Sequence, residues 1–220
     1  GKALFHSSPA EPVNVFDFND KFASDFRLRS LKPFQRVKVI GVVENQITTK
    51  ELSTELNVRD NIVEPDIGID VLKIAVVERY GHNNMAVGFV KGFSLFDGAI
   101  ASSVAHDSHN VVVVGTNDND IAFAVNYLKK VGGGFVVVYE GKVIAGLKLP
   151  FAGLMSDESA EKVAEALNNV NNEARFLGCK LKSPFMTLSF LSLLVIPKLK
   201  ISDKGLFDVE KFNFTNIFID

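Results

Sequence analysis

Five consecutive polar residues, His106, Asp107, Ser108, His109 and Asn110, carry the side chains in this sequence that are best suited to chemistry. Together they offer two imidazoles, a carboxylate, a hydroxyl and a carboxamide within one short segment. A proton-transfer site needs such groups held in place by rigid flanking elements. Aspartate, serine and asparagine are also ordinary turn formers, so the residue types alone leave both a catalytic turn and a structural turn open.

A metal site is a further interpretation of the same segment, because His106, Asp107 and His109 could form a partial ligand set. A closed zinc site needs four ligands. The remaining histidines, His6 and His82, lie in unrelated segments. We therefore expect no metal to be bound by this chain alone.

A second polar cluster begins with Glu78 and Arg79 at the end of a predicted strand and continues through residues 81–84. Its structural interpretation is a solvated hairpin turn with a local ion pair, and its functional interpretation is a contribution to the site at 106–110. The apolar run 185–190 also has two interpretations. It suits core packing, and it suits the wall of a pocket for a flat ring.

Alternating apolar residues and β-branched side chains predict strands along much of the chain. The predicted strands are 36–43, 72–79, 85–90, 99–105, 111–115, 135–139 and 143–147, with a final strand within 212–219. Residues 44–70 are polar and are predicted to be mostly loop.

Apolar residues at helical spacing predict two helices, and a long apolar run predicts a third. The first is capped by Asn117 or Asp118 and ends at Gly132, the second is capped by Ser156 and ends at Gly178, and the third lies within 183–196. These elements favour an α+β fold with a mostly antiparallel sheet and two or three packed helices. The regular βα repeats of a (β/α)₈ barrel are absent.

The first 34 residues differ from the rest of the chain. They are irregular, contain Pro9, Pro12 and Pro33, and hold six phenylalanines. We expect a connector here, ahead of a domain at 35–220. Apolar residues on an irregular segment predict docking against another part of the protein.

Bulk composition narrows the class of protein. The chain has 220 residues, 47% of them hydrophobic, which fits one globular domain. A net charge of −2 gives no reason to expect a nucleic acid or an anionic membrane as partner. No apolar run is long enough to span a bilayer, Cys179 is the only cysteine, and the first residues lack a signal-peptide core. We expect a cytoplasmic protein.

Several blocks of sequence, in order from about residue 36 to the end, resemble the C-terminal region of bacterial and archaeal adenine deaminases. The blocks are 87–93, 98–110, 114–118, 149–156, 184–191, 195–197 and 205–209. The pair Glu78-Arg79 also fits this pattern, although the family often has a histidine where this chain has Tyr80.

The resemblance implies an enzyme of the amidohydrolase type. In that family a metal-bound hydroxide attacks C6 of adenine, and hypoxanthine and ammonia are formed. The resemblance implies manganese or iron as the metal, held by a (β/α)₈ barrel whose first landmark is a His-x-His motif. This chain lacks that motif, so the resemblance implies the C-terminal domain alone at 35–220, with a connector or a remnant of the neighbouring β-sandwich at 1–34. No cofactor is expected in this chain, and it is expected to be inactive in isolation.

Under this resemblance the 106–110 segment faces the mouth of the barrel and helps to bind or protonate the purine. The candidate catalytic residues are His106, Asp107 and His109, and the candidate substrate-binding residues are Glu78, Arg79, Ser108 and Asn110. The expected partners are adenine, the barrel domain of the same protein and further copies in a homo-oligomer. Two alternatives stay open, a non-catalytic assembly module and an independent purine-binding domain.

Overall fold

The computed structural model describes residue 11 and residues 13–220, and the prolines Pro9 and Pro12 of the predicted connector lie outside the described residues. The described part contains twelve strands and three α-helices, which confirms the predicted α+β class. The strands are β1 (Phe34–Val42), β2 (Thr49–Arg59), β3 (Ile62–Val63), β4 (Val71–Val77), β5 (Met85–Lys91), β6 (Ala99–Ser102), β7 (Val111–Gly115), β8 (Gly134–Tyr139), β9 (Lys142–Lys148), β10 (Leu199–Ser202), β11 (Gly205–Asp208) and β12 (Asn213–Phe214). The helices are α1 (Asp118–Val131), α2 (Ala160–Phe176) and α3 (Pro184–Phe190), with short 3-10 helices at Ala23–Phe26 and Ile67–Ile69.

Nine strands form one sheet in the order β3-β2-β1-β5-β4-β7-β6-β8-β9, and β10, β11 and β12 form a second, smaller sheet. Every neighbouring pair in the large sheet is antiparallel except β1 and β5, which are parallel. The hairpins β4–β5 and β8–β9 are those that the sequence predicts.

Both faces of the large sheet are covered. Helices α2 and α3 and the smaller sheet pack on one face, where Val170, Phe185 and Ile201 join a single apolar cluster. Helix α1 packs on the other face through Ile121 and Val125. Because the central strands are buried on both sides, β4 and β7 are buried at every position, and their sequences are apolar apart from Lys73 in β4.

The residues that precede β1 add to the second face. Phe18 and Phe26 are buried against α1, and the Asn126 side chain on α1 pairs with both the amide and the carbonyl of Lys21. The phenylalanines at 18 and 26 therefore pack against this chain's own helix, whereas Phe22 stays exposed.

Helix α1 begins and ends where the sequence predicts. The Asn117 side chain accepts a hydrogen bond from the Asp120 amide, and Gly132 takes the left-handed conformation at the C-terminus with φ of 78°. The predicted cap of α2 is wrong by three residues, because Ser159 and not Ser156 accepts from an amide of the first turn. Serine is a good cap at either position, so residue type could not decide between them.

Two further predictions are corrected. The third helix contains seven residues and ends at Phe190, where turns replace the expected helix up to residue 196. Within 44–70, β2 is an eleven-residue strand and not mostly loop. It lies near the sheet edge and buries only Thr49 and Leu56. Its sequence is therefore mostly polar and lacks the apolar pattern from which a strand is predicted. Among the described residues, no helix is long and apolar enough to cross a membrane.

Candidate functional site

The two polar clusters singled out in the sequence meet at one end of the large sheet. Strand β4 ends at Val77 and β7 begins at Val111, and these residues are partners in the ladder. The residues that follow β4 therefore lie beside the residues that precede β7. Glu78 and Arg79 are thus brought next to the segment 106–110, which we call the histidine turn.

Arg79 connects the histidine turn to two other segments. Its Nε donates to the His109 carbonyl at 2.6 Å, Nη1 donates to the Val15 carbonyl at 3.1 Å and Nη2 donates to the Ala152 carbonyl at 2.8 Å. The side chain is buried, and within the described part of the chain it forms no salt bridge. The predicted ion pair between Glu78 and Arg79 is therefore wrong. The rigid fork of guanidinium donors instead joins three backbone segments.

Glu78 is also buried and forms its hydrogen bonds within its own turn. Its carboxylate accepts from the Tyr80 amide at 2.5 Å, from the His82 amide at 2.9 Å and lies 3.2 Å from His82 Nδ1. Burial acts to raise the pKa of Glu78, but these hydrogen bonds outweigh it and leave the pKa below its ordinary value. An ionised Glu78 thus holds the turn after β4 in one conformation.

Tyr80 stands where the family pattern often has histidine, and it braces the histidine turn from outside. Its hydroxyl donates to the Ser108 carbonyl at 2.6 Å. Its ring lies 5.0 Å from the Arg79 guanidinium, and the Phe16 ring lies 4.6 Å from the same group. Two aromatic rings therefore flank the buried cation.

His109 has a constrained backbone and a constrained ring. Its φ of 52° is uncommon for a residue other than glycine, and its amide donates to the Ala105 carbonyl at 2.6 Å. The Ala105 amide in turn donates to Nδ1 of the His109 ring at 3.2 Å. An amide donor requires an unprotonated Nδ1, so this hydrogen bond assigns the ring proton to Nε2.

The charge state of His109 follows from its surroundings. Burial lowers its pKa, and the nearby His106 and Arg79 lower it further, while Asp107 acts in the opposite direction. Protonation of Nδ1 would also break the hydrogen bond from Ala105. His109 is therefore neutral at pH 7 and offers Nε2–H as a hydrogen-bond donor.

His106 is anchored by residues at the end of α3 and just after it. Its amide donates to the Ser189 carbonyl at 2.9 Å, and its carbonyl accepts from the Ser192 hydroxyl at 3.2 Å. The His106 ring lies 4.7 Å from the Phe190 ring and 5.5 Å from the His109 ring. The two imidazoles thus share one surface of the turn.

The remaining candidates divide between solvent and core. Asp107 and Ser108 are exposed at the tip of the turn. Asn110 is buried, and its Nδ2 donates to Asp203 Oδ1 at 3.3 Å. Its Oδ1 has no hydrogen-bond partner among the described residues. Asp203, which lies between β10 and β11, was not predicted, because nothing in the sequence indicates that this hairpin reaches the site.

The resemblance implies a bound manganese or iron, and the donor set of the histidine turn does not fit such a site. Among the described residues, no three His, Cys, Asp or Glu side chains converge to hold a metal ion. His109 Nδ1 already accepts from the Ala105 amide. What the turn presents is a neutral imidazole donor, a second imidazole, a carboxylate and a hydroxyl, all on anchored backbone. Such a surface can hydrogen-bond a polar heterocycle.

Comparison with known proteins gives the same family as these residues. Residues 46–213 match the family described as adenine deaminase C-terminal domain. An adenine deaminase of Brucella abortus is 53% identical over 193 residues, which are 87% of this chain and 33% of the relative. An adenine deaminase of Methanothermobacter thermautotrophicus is 52% identical over 181 residues, which are 82% of this chain and 34% of the relative. One of Dehalococcoides mccartyi is 45% identical over 212 residues, which are 96% of this chain and 35% of the relative.

This chain therefore spans about a third of the length of these curated relatives. The match covers the histidine turn, the turn after β4 and the hairpin that carries Asp203. On this evidence the chain belongs to the adenine deaminase C-terminal domain family.

Proposed function

We propose that this chain is the C-terminal part of an enzyme that hydrolyses adenine to hypoxanthine and ammonia, and that its histidine turn caps the active site. The observation that carries the proposal is the anchoring of the turn. Arg79 binds it at His109, and backbone and hydroxyl groups near the end of α3 bind it at His106. Polar groups held by their surroundings in this way suit a preorganised site.

We assign the side chains different roles in this proposal. Neutral His109 donates from Nε2 to a ring nitrogen of the purine and does not serve as the acid. Exposed Asp107 accepts from the 6-amino group, and His106 is the group placed to move a proton. Glu78 and Arg79 act as positioning residues, since hydrogen bonds to backbone occupy them.

Manganese or iron, which the family resemblance implies, would supply the activation of water. The described residues provide no ligand set for it, so in our proposal the metal is held by the part of the enzyme that precedes this domain. The histidine turn then contributes binding, orientation and exclusion of water.

The test uses the complete enzyme that carries this domain. We expect His106→Ala to lower kcat by roughly 100-fold, at the low end of what proton-transfer groups contribute, with the bound metal content unchanged. His109→Ala should weaken adenine binding and raise KM. Asp107→Asn should raise KM for adenine, because the carboxylate that accepts from the 6-amino group is lost. Glu55→Gln removes an exposed carboxylate on β2, serves as its control and should leave turnover unchanged. Full turnover in both histidine variants would refute the capping role.

A non-catalytic assembly module is the second candidate, and one observation favours it. Leu31 is 91% exposed and Phe22 is 68% exposed in the segment before β1. Large exposed apolar side chains are typical of interaction surfaces when they occur together. If the chain forms a homo-oligomer through this segment, Leu31→Asp will shift its mass in solution to that of a monomer and leave turnover of the complete enzyme unchanged.

A further inference from the structure

A cavity of about 320 Å³ opens between α2 and α3, with β8 and the segment that follows β6 beneath it. It is lined by Val104, His106, Phe135, Leu167, Asn171, Ser183, Phe185, Met186 and Ser189. The imidazole of His106 therefore belongs both to the histidine turn and to the wall of this cavity. The sequence left two interpretations open for the run 185–190, core packing and the wall of a pocket. In the structure the run does both. Phe185 and Leu188 are buried, whereas Met186 is 60% exposed at the cavity.

Size and charge restrict what this cavity can hold. Its volume lies at the low end of the range of about 300–1,000 Å³ found for small-molecule sites, which suits a single heterocyclic base. Its lining includes no lysine, arginine, aspartate or glutamate among the described residues. A phosphate or carboxylate would lose its hydration here without a compensating charge. Nucleotides and charged metabolites are therefore disfavoured.

The lining favours a flat aromatic ring. Phe135 and Phe185 stack with ring centroids 4.8 Å apart and an angle of 18° between their planes, and both contribute to the cavity. Since Phe185 is 2% exposed, half-buried Phe135 provides the aromatic surface on which a planar ligand can stack.

One polar side chain gives such a ligand a partner. Asn171 is half-buried on α2, and its carboxamide makes no hydrogen bond among the described residues. A carboxamide offers a donor beside an acceptor, and that pattern pairs in two hydrogen bonds with N6 and N7 of adenine.

We propose that the cavity between α2 and α3 binds a purine base, and that this domain thus has a purine site of its own. The existence of the site rests on the cavity, its aromatic walls and Asn171. The choice of a purine over another flat heterocycle rests on the proposed function. Adenine stacks against the aromatic wall and forms its two hydrogen bonds with Asn171. The site lies on the helical face of the large sheet and needs no metal.

Tryptophan fluorescence provides the test, because the chain contains no tryptophan. Met186→Trp places a single reporter at the cavity. Met155→Trp is the matched control, since Met155 is 62% exposed and does not line the cavity. We expect adenine to quench the reporter at 186 to saturation and to quench the control only weakly and linearly. Adenosine 5′-monophosphate should compete poorly, because its phosphate finds no cation.

A second substitution checks the role of Asn171 in the chain that carries the reporter. Asn171→Leu should weaken adenine binding about tenfold, as expected for the loss of two hydrogen bonds. Asn169→Leu, an exposed position on the same helix, should leave the affinity unchanged. Linear quenching of equal strength at 186 and 155, or equal affinity in both asparagine variants, would overturn the proposal. These measurements involve no turnover, so their outcome is independent of the histidine variants in the complete enzyme.

Discussion

Replacement of Arg79 by lysine tests whether the guanidinium holds three segments of backbone together. Lysine keeps the positive charge but presents it as a compact ammonium without the planar fork. The three carbonyl acceptors belong to Val15, His109 and Ala152, which lie far apart in the sequence. We expect the ammonium to retain one of these three hydrogen bonds.

The magnitude follows from the two hydrogen bonds that are lost. A hydrogen bond that involves a charged group contributes about 1.5 kcal/mol or more. Loss of two lowers the free energy of unfolding by about 3 kcal/mol. For a domain of this size that corresponds to a decrease in Tm of about 6–12 °C.

Urea denaturation of the 220-residue chain measures this change, with the slope of the transition as a check that the unfolding remains two-state. Arg29→Lys is the control, because Arg29 is exposed and its side chain makes no hydrogen bond among the described residues. The control should differ from the wild type by less than about 0.5 kcal/mol. If Arg79→Lys is no more destabilised than this control, the structural role assigned to Arg79 is wrong.

Four further predictions concern single groups. Glu78→Gln should destabilise the chain by about 1–2 kcal/mol at pH 7. Folding lowers the pKa of Glu78. Urea denaturation should therefore show the stability difference between wild type and Glu78→Gln shrinking as the pH falls from about 4.3 through the pKa of Glu78 in the folded chain. Folding lowers the pKa of His109. As the pH drops below about 6.5, its imidazole is protonated in the unfolded chain before it is protonated in the folded chain, so the free energy of unfolding decreases. His109→Gln should remove that loss, and ¹⁵N NMR at pH 7 should show a neutral ring protonated at Nε2; a charged ring would contradict the assignment. Burial lowers the pKa of Lys200 to about 8, so the folded chain loses this proton at a lower pH than the unfolded chain does. The wild type should therefore gain stability relative to Lys200→Met between pH 8 and pH 10. A constant difference between the two proteins over this range would contradict the prediction. Asn117→Ala removes the cap of α1 and should cost about 1 kcal/mol in the same assay, and an unchanged stability would show that the cap is dispensable.

The elements that the sequence predicted well are those with one dominant local cause. Strand β7 is a continuous apolar run and was predicted at its observed bounds. Helix α1 has an asparagine cap, acidic residues in its first turn and a glycine after its last. Strand β2 lacked such a signal, because its position next to the edge strand leaves most of its side chains in water. The end of α3 at Phe190 was missed because apolar residues continue past it into buried turns.

The candidate site was also predicted only in part. Its polar side chains at 78–79 and 106–110 were found from residue type and ordered blocks of sequence. Their anchors at Ser189, Ser192 and Asp203 were not found, since each contact joins segments that are 80 to 100 residues apart. The charges on Glu78 and Arg79 suggested a local pair, whereas the structure gives each its own set of partners.

The sequence by itself determined the family, the α+β class and the positions of the groups able to do chemistry, because those properties depend on residue types and local periodicity. Only the tertiary structure decided which nitrogen of His109 carries the proton, that Arg79 serves three carbonyls, and that a cavity lies beside His106. Proton position and burial depend on groups that the sheet brings together from distant parts of the chain. That proximity cannot be inferred from local sequence.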